Sequence, residues 1–378
     1  MSAVTLAKEL KAPRYLFIDG LRGVAAISVM IHHCYAPWPD VFNQVLPGFV
    51  RHGLMLGARG VQIFFVISGF VIALSLARVT LTPRSVGNFI VRRQLRLDPA
   101  YWVCLAIVAT NFYVASRYQP GRSAPSALDL LLNAFYLPRL FHRPMILSIA
   151  WTLALEVQFY LIFVLIAWVD QTVRRARETS AVGVAIVCGL AVVSLVRAAG
   201  LEKDSLAVWF IDAWYLFALG VLTFWAVSGR FSAAPLFALI AAVLAVGIWR
   251  GQSEMLVGAA SAGIIYVAGI RGRIGTWLSG RIIQYLGGIS YSIYLVHWLV
   301  LFHLMNAGVA WTGRSVASGL LWVIVGCAAS IVAAHLLHVL VERPSMRAAA
   351  RLKPKAAKSE SLSSILSTHT LEQTTPSS

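Results

Sequence analysis

The sequence predicts an all-α integral membrane protein of about ten transmembrane helices, with both termini in the cytoplasm. Three observations carry this prediction. Of 378 residues, 59% are hydrophobic and only 12% charged, about half the charged fraction of an ordinary globular chain. Mean hydropathy is +0.75. Apolar windows of about 20 residues, the length a helix needs to cross the hydrocarbon core, recur along most of the chain. A water-soluble protein built from such helices would have no polar face to turn to solvent.

In chain order the predicted spans are 18–38, 56–77, 100–116, 149–169, 180–199, 207–228, 233–249, 255–270, 288–307 and 317–341. The first carries Asp19 and Arg22, and 233–249 and 255–270 are short and rich in Gly and Ala. No small-residue cleavage pattern follows the first span, so it is read as retained and not as a signal peptide. Between the third and fourth spans, 117–148 holds Pro120, Pro138 and Pro144 around the amphipathic run ALDLLLNAFYL. That run either lies at the interface or dips back into the bilayer. The expected organisation is a cytoplasmic segment over 1–17, a membrane domain over 18–344 and a disordered cytoplasmic tail over 345–378. The tail turns basic and then Ser/Thr-rich.

Charge placement sets the orientation. With the N-terminus inside, twenty-one Lys and Arg fall in cytoplasmic segments and ten outside, Arg22 lying within a span; this bias is the positive-inside pattern. The formal charge of +17 is thus distributed over short interhelical loops with no recognition module, which excludes nucleic acid as partner. Membrane lipid is the implied surrounding. Cys34, Cys104, Cys188 and Cys327 fall singly in or beside different spans and read as core filler, neither disulfides nor metal ligands.

Ionisable groups inside apolar spans mark sites, because hydrocarbon makes them costly. In DGLRGVAAISVMIHH, Asp19 and Arg22 are three apart, on one helix face, where they can neutralise each other. Arg22 and His33 share a face about 16 Å apart, and His32 points elsewhere. An anion site at the inner mouth and a base at the outer mouth is one reading; a helix-start ion pair with a structural histidine is the other. In FIVRRQLRLDPAYW, Arg93 and Arg96 lie on a short helix that Pro99 is expected to end or kink before the next span. They suit phosphate or serve only as topology anchors. Ser68–Gly69 permits close helix packing. In WTLALEVQFY, Glu156 shares a face with Tyr160, and either serves chemistry or is a strut between helices. Ser290, Tyr294 and His297 share a face of the ninth span, as polar lining or packed core. His335, His338 and Glu342 have a spacing that permits a metal; termination of the last span at VERP is the preferred reading, and no metal is expected.

These blocks together resemble the membrane-bound acyltransferase-3 family, bacterial O-acyltransferases that modify surface sugars. DGLRGVAAISVMIHH matches the first-helix pattern, with Arg22 and His33. FFVISGF leads to the arginine block, with Arg93, Arg96 and Pro99. WTLALEVQFY supplies Glu156, YLGGISYSIYLVHW supplies His297, and VERP closes the core. The blocks span 17–344 in the family's order. Two positions depart: Ala154 stands where a serine is common and Val157 where an acid is common. The resemblance implies transfer of an acyl group, most simply acetyl, from cytoplasmic acyl-CoA, a donor substrate and not a resident cofactor. The acceptor would be a hydroxyl on a cell-surface polysaccharide, lipid-linked oligosaccharide or glycolipid. It implies His33 and Glu156 as catalytic, Arg22, Arg93 and Arg96 as donor-binding, and Asp19, Ser68, Tyr294 and His297 as supporting. A proton-coupled membrane transporter is the alternative that the intramembrane Arg, Glu and His also allow.

Overall fold

The computed structural model describes residues 15–77, 79–119, 121, 123–177, 181–200 and 209–352. Every regular element among these residues is helical. Eight helical stretches are long and apolar enough to cross a membrane, and two shorter apolar helices, Val182–Ala198 and Ala234–Arg250, accompany them. Each falls on one of the ten predicted spans. In order, the helices are α1 (Leu16–Tyr35), α2 (Pro39–Phe42), α3 (Gly48–Leu56), α4 (Gly60–Leu76), α5 (Pro83–Tyr118), α6 (Ala127–Ala134), α7 (Trp151–Arg177), α8 (Val182–Ala198), α9 (Trp214–Val227), α10 (Ala234–Arg250), α11 (Ser253–Ile270), α12 (Arg281–Gly288), α13 (Ser290–Thr312), α14 (Val316–Leu337) and α15 (Arg343–Arg351).

Two hydrophobic clusters organise the bundle. One joins α4, α7, α8, α9, α10 and α11 around stacked aromatics, with the rings of Phe159 and Phe217 4.0 Å apart. The other joins α1, α5, α13 and α14. Since lipid is as apolar as leucine, close backbone packing has to hold such helices together, and glycines provide it at two crossings. A Cβ on Gly220 of α9 would stand 1.9 Å from the Val66 carbonyl of α4, and one on Gly69 would stand 2.1 Å from the Phe217 carbonyl. Gly23 of α1 and Gly287 of α12 are similarly interlocked.

Three expectations meet the structure here, and the first two are corrected. Pro99 does not end a short basic helix: α5 runs unbroken through it from a Thr82–Ser85 capping box. A proline removes one N–H, here the partner of the Leu95 carbonyl. The packing of Leu97, Ala100 and Tyr101 in the core, and the bond Tyr291 Oη donates to the Leu97 carbonyl at 2.8 Å, hold the rest of the helix in register. The polypeptide also stays helical past VERP. A π turn over His338–Glu342 leads directly into α15, where Pro344 sits in the first turn and its missing N–H is tolerated. Residues 345–351 of the expected tail are therefore helical, while 353–378 and residues 1–14 lie outside the described residues.

The third concerns 117–148, whose described part folds back along α5. Tyr101 and Trp102 donate to the carbonyls of Asn133 and Ala134 at 2.7 and 3.0 Å. These anchor points precede Tyr118 by roughly 24 Å of helix, so of the two alternatives the run ALDLLLNAFYL dips inward. Asn133 staples the turn, accepting from Ile146 N and donating to the carbonyls of Asp129 and Pro144. The Arg143 guanidinium and Ser126 hold Asp129 down to about 2.

Two outcomes are expected. Gly220→Ala should lower the thermal midpoint of the detergent-solubilised protein, overpacking of this kind costing about 1–3 kcal/mol. Gly87→Ala, which meets nothing within 4 Å, should not. Because the Asp129 pKa is depressed on folding, its stabilising contribution is complete above the unfolded carboxylate range and is lost as pH falls from about 4 towards 2. Proteolytic nicking within 123–145 should rise over that window and should rise at neutral pH in Arg143→Ala.

Candidate active site

A cavity of roughly 780 Å³ lies at the seam of the two clusters. Its polar lining comes from four helices. Arg22 arrives from α1, Ser68 from α4, Arg93 and Arg96 from α5, and Thr152 and Glu156 from α7. Phe64, Phe65, Tyr291 and Tyr294 form aromatic wall. Of the predicted donor-binding residues all three are thus in one place, although they come from helices separated by some seventy residues of chain.

Glu156 organises the cluster. Its Oε1 accepts from Ser68 Oγ at 2.7 Å and from Arg93 Nη2 at 3.1 Å, which fastens α4, α5 and α7 together. The expected Glu156–Tyr160 contact does not form; Tyr160 instead donates its hydroxyl to Gln94 of α5. Two consecutive turns of α7 therefore grip α5, because the helix presents both residues to the same neighbour. Asp19 and Arg22 do not pair either: among the described residues no ion pair joins them. The Asp19 carboxylate sits in the first turn of α1, where it favours the helix dipole, and its backbone is wedged against Gly287. Arg22 and Arg96 make no hydrogen bond or ion pair among the described residues, and Arg96 lies in the fields of Arg22, Arg93, Glu156 and Glu342. Three guanidiniums against one lining carboxylate leave a net charge of about +2, the electrostatics of an anion site.

A second polar group adjoins the aromatic wall. Tyr294 Oη lies 2.8 Å from Thr152 Oγ1 and 3.2 Å from the Ile149 carbonyl, and its ring is 5.7 Å from that of His297 and 5.9 Å from that of Phe64. The His297 ring in turn lies 5.1 Å from His33. The hydrogen-bond partners assign both tautomers. His297 Nδ1 is 3.0 Å from the Ile293 carbonyl, and His33 Nδ1 is 2.9 Å from the Val29 carbonyl. Carbonyls only accept, so both Nδ1 atoms carry hydrogen in the neutral rings. His297 Nε2 is then a lone pair facing His33 Nδ1 at 3.3 Å, and the remaining nitrogen of His33, Nε2, is the basic one.

Two placements stand out. His33 is in the last turn of α1 but not level with the end of α13, which runs on from His297 to Thr312, roughly 22 Å of helix beyond the imidazole pair. Nor is His33 among the cavity-lining residues; the cavity wall at Tyr294 adjoins the pair. His32 Nδ1 lies 3.1 Å from the Leu54 carbonyl of α3. Ser290 is buried without a side-chain partner and lines nothing. Among the described residues no group of His, Cys, Asp and Glu is arranged to hold a metal. His335 bonds Tyr285, and His338 bonds Glu342 at 2.9 Å. Glu342, which is 2% exposed and also accepts from Ser292 at 2.7 Å, is the residue sequence reasoning missed. A carboxylate inside VERP reads as a span terminator, and only burial reveals otherwise.

The fold and site define a polytopic membrane protein with a cationic intramembrane cavity beside a histidine pair. Residues 15–339 match the profile of the acyltransferase domain, so the chain belongs to the acyltransferase-3 family and is a membrane-bound O-acyltransferase. It is 29% identical to the acyltransferase MdmB of Streptomyces mycarofaciens, over 90% of this chain and 93% of that one. It is 27% identical to nodulation protein 10 of Rhizobium leguminosarum bv. viciae, over 87% and 92%. A 170-residue stretch is 32% identical to the O-acetyltransferase OatA of Staphylococcus aureus (strain NCTC 8325 / PS 47), covering 42% of this chain and 26% of OatA. No solved structure matches.

A double-mutant cycle on Arg93→Ala and Glu156→Ala, read by unfolding in detergent, should give a coupling of about 1–3 kcal/mol, as expected for a charged hydrogen bond with both partners mostly buried. Additive losses would show that the pair contributes nothing to the bundle.

Proposed function

We propose that this enzyme moves an acyl group, most simply acetyl, from acyl-CoA at the cytoplasmic face of a bacterial inner membrane to a hydroxyl of an extracytoplasmic glycan or glycolipid. The observation that carries the proposal is the convergence of Arg22, Arg93 and Arg96 on one cavity whose aromatic wall adjoins the His33–His297 pair. Guanidiniums bind phosphate through a fixed fork of donors, and the donor substrate carries a diphosphate and a further phosphate. Arg22 and Arg96 supply uncommitted donors, and Glu156 keeps Arg93 in place. Acetyl is supported by the stretch similar to OatA, named as an O-acetyltransferase.

In the proposed reaction the acceptor oxygen attacks the thioester carbonyl while its proton passes to His33 Nε2. The carbon–oxygen bond forms, the carbon–sulfur bond breaks, and the proton leaves with the thiolate. His297 acts as a positioning residue. Its lone pair faces the His33 Nδ1–H, which keeps the hydrogen on that side as His33 Nε2 gains a proton. Reach from the cavity to His33 requires the wall at Phe64 and Tyr294 to turn aside, since the cavity stops there. The re-entrant segment around α6 lies beside the outer half of α5 and is the candidate for selecting the acceptor.

Transfer from radiolabelled acetyl-CoA to surface glycan, followed in membrane vesicles, tests the reading. His33→Ala should lower transfer by at least about 100-fold, the scale of lost general-base catalysis, at unchanged protein level; full activity would remove His33 as the base. His297→Ala should cost less than His33→Ala and alter the pH–rate profile, whereas His32→Ala should leave that profile in place. Arg93→Ala with Arg96→Ala should weaken acetyl-CoA binding by equilibrium dialysis, and equal affinity would reject the phosphate clamp.

A further inference from the structure

Cys34 and Cys327 are separated by 293 positions in the chain, yet their sulfurs lie 3.4 Å apart. Cys34 ends α1 and is fully buried; Cys327 is at mid-length in α14 and partly exposed. Gly326 permits this approach. A Cβ there would stand 2.5 Å from Met305 Cε and 2.7 Å from Leu301 Cδ2, and 3.9 Å from Cys34 Sγ itself. Neither sulfur has a part in the site described above. All four cysteines are free, but Cys104 and Cys188 have no neighbouring thiol among the described residues.

We propose that Cys34 and Cys327 are a redox pair that closes to a disulfide on exposure to a hydroperoxide, tying the first membrane helix to the last. A disulfide needs a sulfur separation of about 2.0 Å, a movement that side-chain rotation can provide from 3.4 Å. A small neutral oxidant suits thiols surrounded by Met30, Trp38, Leu301 and Met305. The partly exposed Cys327 reacts first. Its sulfur takes one peroxide oxygen to form a sulfenic acid, the O–O bond breaks, and the displaced hydroxide leaves as water with the thiol proton. Cys34 sulfur then attacks the Cys327 sulfur, breaking the S–O bond and expelling the sulfenic oxygen as water with the Cys34 proton. Two thiols and one peroxide thus give one disulfide and two waters. Because His33 is the residue before Cys34, the bridge fixes the end of α1 that carries it. The proposal does not depend on which acyl group or acceptor the enzyme uses.

The full chain in detergent micelles is treated with hydrogen peroxide, denatured, alkylated with iodoacetamide, digested and examined by mass spectrometry. The expected result is a linked Cys34–Cys327 peptide that dithiothreitol separates, with Cys104 and Cys188 still alkylated. Cys34→Ser should instead leave a sulfenic acid on Cys327 that dimedone traps. Cys34→Ala serves as the second variant should the serine prove unstable. Equal alkylation of all four cysteines after peroxide, or a link between the Cys327 residues of two chains in place of Cys34, would overturn the proposal. So would oxidation of Cys188, comparable in exposure but without a thiol neighbour, at a rate within tenfold of the pair.

Discussion

The carboxylate of Glu156 is the constraint around which this bundle is arranged. Three arginines face one cavity in a seam between apolar helices, where like charges repel and desolvation is costly. Glu156 binds Arg93 directly and is itself held by Ser68, so one side chain neutralises a guanidinium and fixes three helices. The remaining positive charge is left to Arg22 and Arg96. A cavity fully neutralised by carboxylates would hold the helices equally well and attract no anion. One with no carboxylate would have nothing to oppose the repulsion of its arginines. Glu342, buried against Ser292 and His338, supplies a second negative charge within the field of Arg96, behind the lining and not in it.

That arrangement depends in turn on close helix approach. Ser68 reaches Glu156 because Gly69 and Gly220 let α4 and α9 cross with backbone against backbone. Arg22 immediately precedes Gly23, which crosses Gly287. Small residues are thus placed one or two positions from polar ones: the former set how near a helix comes, the latter use the distance. The thin line of contact also explains how a chain with so few charged residues assembles a polar site, since packing in lipid gains nothing from a hydrophobic effect between helices.

The spans were legible because hydrocarbon imposes length and polarity on each helix separately, and 255–270 against Ser253–Ile270 shows how closely. Arg22, Arg93, Arg96, Ser68 and Glu156 were legible as a set of polar residues in apolar surroundings, and the family pattern grouped them. Their partners were not. Helical periodicity identifies residues on one face of one helix, and so it suggested Asp19–Arg22 and Glu156–Tyr160. In the folded chain Glu156 and Tyr160 bond to neighbours on other helices instead, and Asp19 and Arg22 form no ion pair among the described residues. The same limitation hid the nearness of Cys34 to Cys327, since two cysteines so far apart in sequence have no local signature. Pro99 misled for a related reason. Its effect was judged for an isolated helix, whereas the α5 backbone is supported by Tyr291 and by the core around it.

The position of the imidazole pair narrows the chemistry further. In the proposed reaction, with about two thirds of α13 continuing beyond His297, an acceptor hydroxyl would descend well into the bundle, while a donor held at the arginines would extend past Tyr294. A single base between two such approaches needs a fixed orientation, because a ring free to flip would offer Nδ1 and Nε2 in turn. Val29 removes that freedom with a backbone carbonyl from the same helix, and His297 reinforces it from the facing one. His297 is fixed in the same manner by Ile293. Each imidazole thus uses the carbonyl one helical turn below it as an anchor, and the two helices present their rings to each other at a tilt of 44°. The lone pair of His33 Nε2 is what this leaves over, and in the proposed reaction it takes the acceptor proton and gives it up to the departing thiolate.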